Sequence, residues 1–283
     1  MSGPIRLFVG SYPEFYDRLL VPVLFAPYAR ILAERLRGMT VGNVLEIAAG
    51  TGVVTRALVH TLPEAVNIRA TDLNPPMLDR ARSHAGMDRV HWQQANALAL
   101  PFGEHEFDCA ICQFGVMFFA DKRAAFRETF RVLKRGARFL FIVWDREEEV
   151  GIRSVAAEVM GRLLSRDPAS LLPPPYFDLT AARADLEAAG FGAVSIEKLP
   201  ERSRAKSPQE AAIANCHGGI LRTHIEQHAP GRLEEITNAV AAVLTEKFGA
   251  GPIDAPMQAI LFTASIARNA RGFVHKERAG FRP

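Results

Sequence analysis

Strand-like and helix-like runs alternate from about residue 43 and predict an α/β fold, a doubly wound, mostly parallel seven-stranded sheet with helical insertions. Three observations carry this prediction. Short apolar runs bounded by turn residues recur between amphipathic stretches. Gly50 and Gly52 follow the first of those runs. Residues 146–176 and 205–250 break the alternation with helical and proline-rich sequence.

The first strand is NVLEIAA (43–49), followed by the helix GVVTRALVHTL, which Pro63 stops. VNIRATD (66–72) is the second strand, and PPMLDRARSHA is a helix begun by proline at its first turn. RVHWQQA and FDCAICQF (107–114) are the third and fourth strands. DKRAAFRETFRVLKRG (121–136) places Phe126, Phe130 and Leu133 on one helical face, with Gly136 expected as the residue just past the helix end. ARFLFIVWD (137–145) is the fifth strand. After a helical stretch around VAAEVMGRLL and the turn LLPPPYF, Thr180 is expected to cap AARADLEAAG, and FGAVSIEKL is the sixth strand. The long helix GRLEEITNAVAAVLTEKFG (231–249) lies in the second insertion, and MQAILFTASIA (257–267) closes the sheet. The expected division is a helical cover over residues 1–35 and one large domain over 36–283, with the two insertions covering a substrate.

Composition narrows the partners. The balance of 34 Lys+Arg against 31 Asp+Glu leaves a formal charge of +3, too little to make nucleic acid the default partner. The basic runs RNARGFVHKERAGFRP and KLPERSRAKSP (198–208) read as a solvated tail and loop. No apolar run approaches the length of a membrane span, and MSGPIRLFVG lacks the features of a signal peptide, so a cytoplasmic location is expected. Three cysteines suit a reducing compartment. Cys109 and Cys112 form C-x-x-C inside an apolar strand, where a core role outweighs a metal site that would need a second pair.

In an open α/β sheet a glycine-rich first turn lets the backbone approach a ligand at the carboxyl ends of the strands. Asp72 lies 20 residues past Gly52 and ends the second strand, where a carboxylate reaches ribose hydroxyls. A dinucleotide and S-adenosylmethionine (SAM) both fit this pattern. The dinucleotide fingerprint wants glycine or alanine three residues past Gly52, yet Thr55 stands there, a branched side chain expected to hinder close packing. Glu46, four residues before Gly50, is an awkward neighbour for pyrophosphate and suits an ammonium.

VLEIAAGTG, ATDLNPPML, QANALALPFGEHEFD, CQFGVMFF and FRETFRVLKRGARFLF occur in the order and spacing of one family. On these segments the chain resembles the class I SAM-dependent methyltransferases, in the group of the ubiquinone and menaquinone biosynthesis enzymes. The resemblance implies a Rossmann-like domain, SAM as methyl donor, S-adenosylhomocysteine (SAH) as product, and a small-molecule acceptor. It implies that Glu46, Gly50, Thr51 and Gly52 line the methionine end of the site, and that Asp72 holds the ribose. Leu73 and Met77 would flank the adenine, with Asn96 and Ala97 at its polar edge, and Gln113 and Phe114 near the reacting methyl. Tyr16 resembles a tyrosine that covers the cofactor. Ala48 stands where the family often has a first glycine, and Asn96 where aspartate is common.

Transfer from a sulfonium is an in-line displacement that aligns the reactants and needs no metal. HIEQH (224–228) departs from the zinc-protease order, so His224 and His228 read as a helix face. A hydroxyl or acidic-carbon acceptor could use a general base, and the histidines outside the second insertion fall away from the carboxyl ends of the strands. His217, beside two glycines, is therefore the expected substrate contact. The apolar and aromatic residues within 11–30 and the two insertions imply an apolar or aromatic acceptor, methylated on oxygen or carbon. An NAD(P)-dependent oxidoreductase and a SAM-binding protein without transferase activity remain the alternatives.

Overall fold

The computed structural model describes residues 12–268; the first eleven residues and the basic run from 269 onward lie outside this range. Seven strands form one sheet in the order β3-β2-β1-β4-β5-β7-β6. The core is built by β1 (Gly42–Ile47), α3 (Val53–Thr61), β2 (Val66–Asp72), α4 (Pro75–Arg82), β3 (Val90–Gln94), β4 (Phe107–Gln113), α5 (Lys122–Val132) and β5 (Leu133–Trp144). These five strands run parallel, whereas β7 (Ile253–Ser265) runs antiparallel between β5 and β6 (Val194–Ala205). The chain steps outward from β1 to β3, then crosses back to β4. The carboxyl ends of β1 and β4 consequently diverge and leave a crevice.

Ahead of the sheet, α1 (Tyr12–Phe15), a π-helical segment (Tyr16–Phe25) and α2 (Ala26–Arg35) form a continuous helical path. Pro22 inside the wide-wound segment lacks an N–H for a regular helical ladder. Tyr28, Leu32 and Leu36 sink into the sheet core. After β5 come α6 (Gly151–Leu164) and α7 (Leu179–Ala188); α8 (Pro208–Gly218), α9 (Ile220–His228) and α10 (Leu233–Phe248) join β6 to β7. The helices α6, α8, α9 and α10 bury an apolar core of their own, with Ile152, Met160, Cys216, Leu221, Val240 and Leu244. Among the described residues no helix is long and apolar enough to cross a membrane.

Four local expectations need correction. The helix expected to reach Gly136 ends at Val132, because Leu133 is drawn into the sheet beside Phe107. Gly136, at φ +79°, instead turns the entering strand, near a register shift between Phe107 and Cys109. Asp178, not Thr180, caps α7, its carboxylate accepting from the N–H groups of Thr180 and Ala181. The basic run at 198–208 is mostly the second half of edge strand β6, paired residue by residue with β7 from Ile253 onward. Charged side chains such as Arg202 blunt that edge against further pairing.

Candidate active site

Backbone geometry at the end of β1 makes the crevice approachable. Ala48, Gly50 and Gly52 all have positive φ, at 57°, 56° and 78°. A Cβ on Gly52 would stand 3.0 Å from Trp92 and 3.1 Å from the Ala81 Cβ, so only glycine serves there without strain. Ala48 adopts a left-handed conformation that glycine takes freely, at a cost of about 1 kcal/mol. The turn is pinned by three hydrogen bonds. Ala49 N–H donates to the Thr71 carbonyl at 2.8 Å, Gly52 N–H to the Ala49 carbonyl at 2.9 Å, and Gly50 N–H to Asp72 Oδ2 at 2.8 Å.

Asp72 thus joins the ends of two strands. Its Oδ1 accepts from the Asn74 N–H at 2.8 Å. Burial pushes this carboxyl above its ordinary range, against the pull of the Asn74 and Gly50 donors. Glu46 lies deeper, 2 % exposed, and accepts from the Thr55 hydroxyl. Burial pushes its carboxyl up to about 8, opposed by the Thr55 bond and by Arg56. Thr55, expected to hinder packing, is wholly buried and supplies this donor.

A cavity of about 560 Å³ opens over the crevice. Ten of the expected residues line it: Tyr16, Ala48, Gly50, Asp72, Leu73, Met77, Asn96, Ala97, Gln113 and Phe114. Glu46, Thr51 and Gly52 are buried and do not line it. His217 is not brought to the cavity either; its Nε2 sits 3.1 Å from the Thr237 hydroxyl of α10, and burial holds the imidazole below its ordinary pKa. The helical phase of α8 turns Asn215 to the cavity and His217 away from it.

Sequence reasoning missed Trp144, Arg153, Leu172 and Asn215, which also line the cavity. Trp144 could have been found as the last residue of β5, at the carboxyl edge where ligands bind. Arg153 was visible as a lone cation in the apolar run around it. Phe114, itself at φ 54°, stacks on Trp144 with ring centroids 4.1 Å apart, and Phe25 and Tyr28 pack against both. Gln113 Nε2 donates to the Phe25 carbonyl at 3.3 Å, which leaves its buried Oε1 without a partner. A ligand donor facing that oxygen would satisfy it.

The helical segments ahead of β1 supply Tyr12, Tyr16, Leu20, Leu24 and Phe25 to the cavity. Buried Asp17 meets Arg56 of α3 at 3.1 Å, Arg80 of α4 at 2.9 Å and His84 at 2.9 Å. Arg56 also donates to the Thr51 carbonyl at 2.7 Å, linking these helical segments to the glycine turn.

The family profile described as Methyltransferase domain matches residues 44–136. A ubiquinone/menaquinone biosynthesis C-methyltransferase from Hahella chejuensis is 32% identical over 64% of this chain and 73% of its own length. The chain belongs to the class I SAM-dependent methyltransferases. The counterpart from Edwardsiella ictaluri is 35% identical over 64% of this methyltransferase and 72% of its own length. That from Klebsiella pneumoniae (strain MGH 78578) is 36% identical but aligned over only 44% of its length. Among solved structures, the YcgJ protein of Bacillus subtilis superposes with a TM-score of 0.55 at 22% identity, over 86% of this chain and all of that one. A Haemonchus contortus phosphoethanolamine N-methyltransferase bound to SAH gives 0.57 at 17%, over 91% of this chain and 57% of that one. These two likenesses concern the fold.

Membership displaces both the oxidoreductase and the non-catalytic alternative. The wall agrees with a cofactor free of phosphate. The cavity is lined by Asp72, an acceptor suited to ribose hydroxyls, and its one cation among the described residues, Arg153, stands on α6 over Trp144. A pyrophosphate beside Asp72 would meet a like charge.

Proposed function

We propose that this methyltransferase transfers the SAM methyl group to a small, apolar or aromatic acceptor, on carbon or oxygen. The supporting observation is the continuous cavity running from the Gly50 turn to the aromatic wall of Phe25, Phe114 and Trp144. The relatives, ubiquinone/menaquinone biosynthesis C-methyltransferases, favour a ring carbon of a quinol-like acceptor. In this reading Asp72 accepts from the ribose hydroxyls, Leu73 and Met77 flank the adenine, and Asn96 and Ala97 meet its edge. Gln113, Phe114 and Tyr16 enclose the methyl-bearing end. Glu46, out of reach of the cavity, holds the turn from beneath through Thr55, and His217 has no part.

SAM supplies an electrophilic methyl on a positively charged sulfur. The chain's work is alignment and exclusion of water: the turn fixes one reactant, the aromatic wall seats the other, and the cover keeps solvent out. Such a displacement requires no metal. A small-molecule acceptor, without nucleic acid or integral membrane association, and a cytoplasmic setting complete the reading.

Calorimetry with SAH and with NADH tests the cofactor, and transfer of a labelled methyl from SAM to a panel of phenols and quinols tests the acceptor. SAH binding without NADH binding, and a labelled ring product, are expected. Absence of SAH binding would overturn the reading at its base.

A further inference from the structure

Two charged side chains line the cavity among the described residues, Asp72 and Arg153. Asp72 ends β2, whereas Arg153 stands on α6 over Trp144, the last residue of β5; β1 and β4 lie between those strands. Three strand spacings separate the two ends by on the order of 14 Å. The cation therefore belongs to the acceptor's end of the cavity.

Arg153 is only 8 % exposed, and its guanidinium carbon lies 4.6 Å from the centroid of the Trp144 ring. Removing a guanidinium from water is costly, and an aromatic face offsets part of that cost. Its planar fork carries five N–H donors, enough to serve a ligand besides contacts within the chain. The Trp144 ring beside it, itself stacked on Phe114, gives this part of the cavity an apolar lining, which strengthens any charge–charge interaction formed there. A neutral acceptor would need no more than an amide such as Asn215, already on the same wall.

We propose that Arg153 selects an acceptor bearing an anionic oxygen, a phenolate, enolate or carboxylate, on a flat apolar framework. This rests on the methyl-transfer reading above. It also accounts for a site whose described wall includes no histidine. The cation favours the ionised acceptor, whose proton has passed to solvent before transfer. The oxygen, or the ring carbon conjugated to it, then gives an electron pair to the methyl carbon as the carbon–sulfur bond breaks and sulfur keeps its pair. After carbon attack the displaced ring proton passes to water and the anion is restored.

1-Naphthoate and 1-naphthamide share shape and differ in charge, so their calorimetric titration into SAH-saturated protein reads the proposal directly. Wild type is expected to bind the naphthoate about tenfold more tightly than the amide. Arg153→Gln is expected to erase that preference, leaving naphthamide and SAH affinities within about twofold, while Arg153→Lys keeps part of it. Equal binding of the two probes by wild type, no naphthoate binding, or a preference that persists in Arg153→Gln would overturn the proposal. The wild-type comparison decides even if the glutamine variant does not fold. Failure of SAH itself to bind wild type defeats the underlying methyltransferase reading, a separate and recognisable outcome.

Discussion

Glu46 carries a pH signature that a surface carboxylate would lack. Its folded-state pKa is raised, so the folded protein holds a proton that the unfolded chain releases above its ordinary value. The stabilisation is complete below the unfolded pKa and is lost as pH rises through about 8. By neutral pH the loss amounts to at most about 3 kcal/mol. Wild-type Tm should therefore fall by about 5–10 °C between pH 5.5 and 8.5, and Glu46→Gln should flatten that slope. A parallel slope in both proteins would assign the effect elsewhere. Gly52→Val should weaken SAH binding at least about a hundredfold and destabilise the fold, because its Cβ meets Trp92 and Ala81 at a backbone angle that disfavours valine. Ala48→Gly, by contrast, should leave SAH affinity within about twofold, as glycine adopts the same φ without strain. Calorimetry on both variants checks these outcomes. The turn and Asp72 were legible in sequence because they lie within one β-α-β stretch, where spacing alone fixes position. Glu46 was assigned the ammonium because spacing does not tell the top of a turn from its underside.

Among the elements, the cover ahead of β1 depends most on a single side chain. Asp17 ties it to α3, α4 and the turn after α4. Its partners Arg56 and Arg80 are a quarter to a third exposed, so Asp17→Asn should cost about 2 kcal/mol, less than a fully buried pair. Limited proteolysis should cut the variant within residues 12–25 faster than wild type, and SAH should slow the cut. Unchanged cleavage would show that apolar packing alone holds the cover. Most strands and helices were legible from periodicity, but three boundaries were not. Leu133 continues the helical face of Phe126 and Phe130, yet sheet pairing outweighs that local pattern. The outer halves of β6 and β7 alternate charged and small residues, which read as loop until their mutual pairing is seen.

At the scale of the whole molecule, all three cysteines are buried and free. Burial pushes the Cys109 and Cys112 thiols up to about 12, so both are nearly devoid of thiolate in the native state. Alkylation of these two should require opening of the sheet, and SAH at a hundred times its Kd should slow it about a hundredfold. Modification at a rate independent of SAH would show a local opening instead. The acceptor wall was the least legible part of the chain. Trp144, Arg153, Leu172 and Asn215 come from four separated segments, and only the return of the insertion helices over the sheet brings them together.

The position of β7 also governs the order in which the molecule can be completed. It is the last of the described strands to emerge during synthesis, yet it occupies an interior place, hydrogen-bonded to β5 on one side and β6 on the other. Until residue 253 has been made, β5 ends in an unpaired edge and β6 has no neighbour in the sheet. From the completion of β5 at Trp144 until β7 begins at Ile253 the nascent chain therefore exposes the edge of β5, joined after Ala205 by an unpaired β6, a hazard that early packing of the insertion helices would limit.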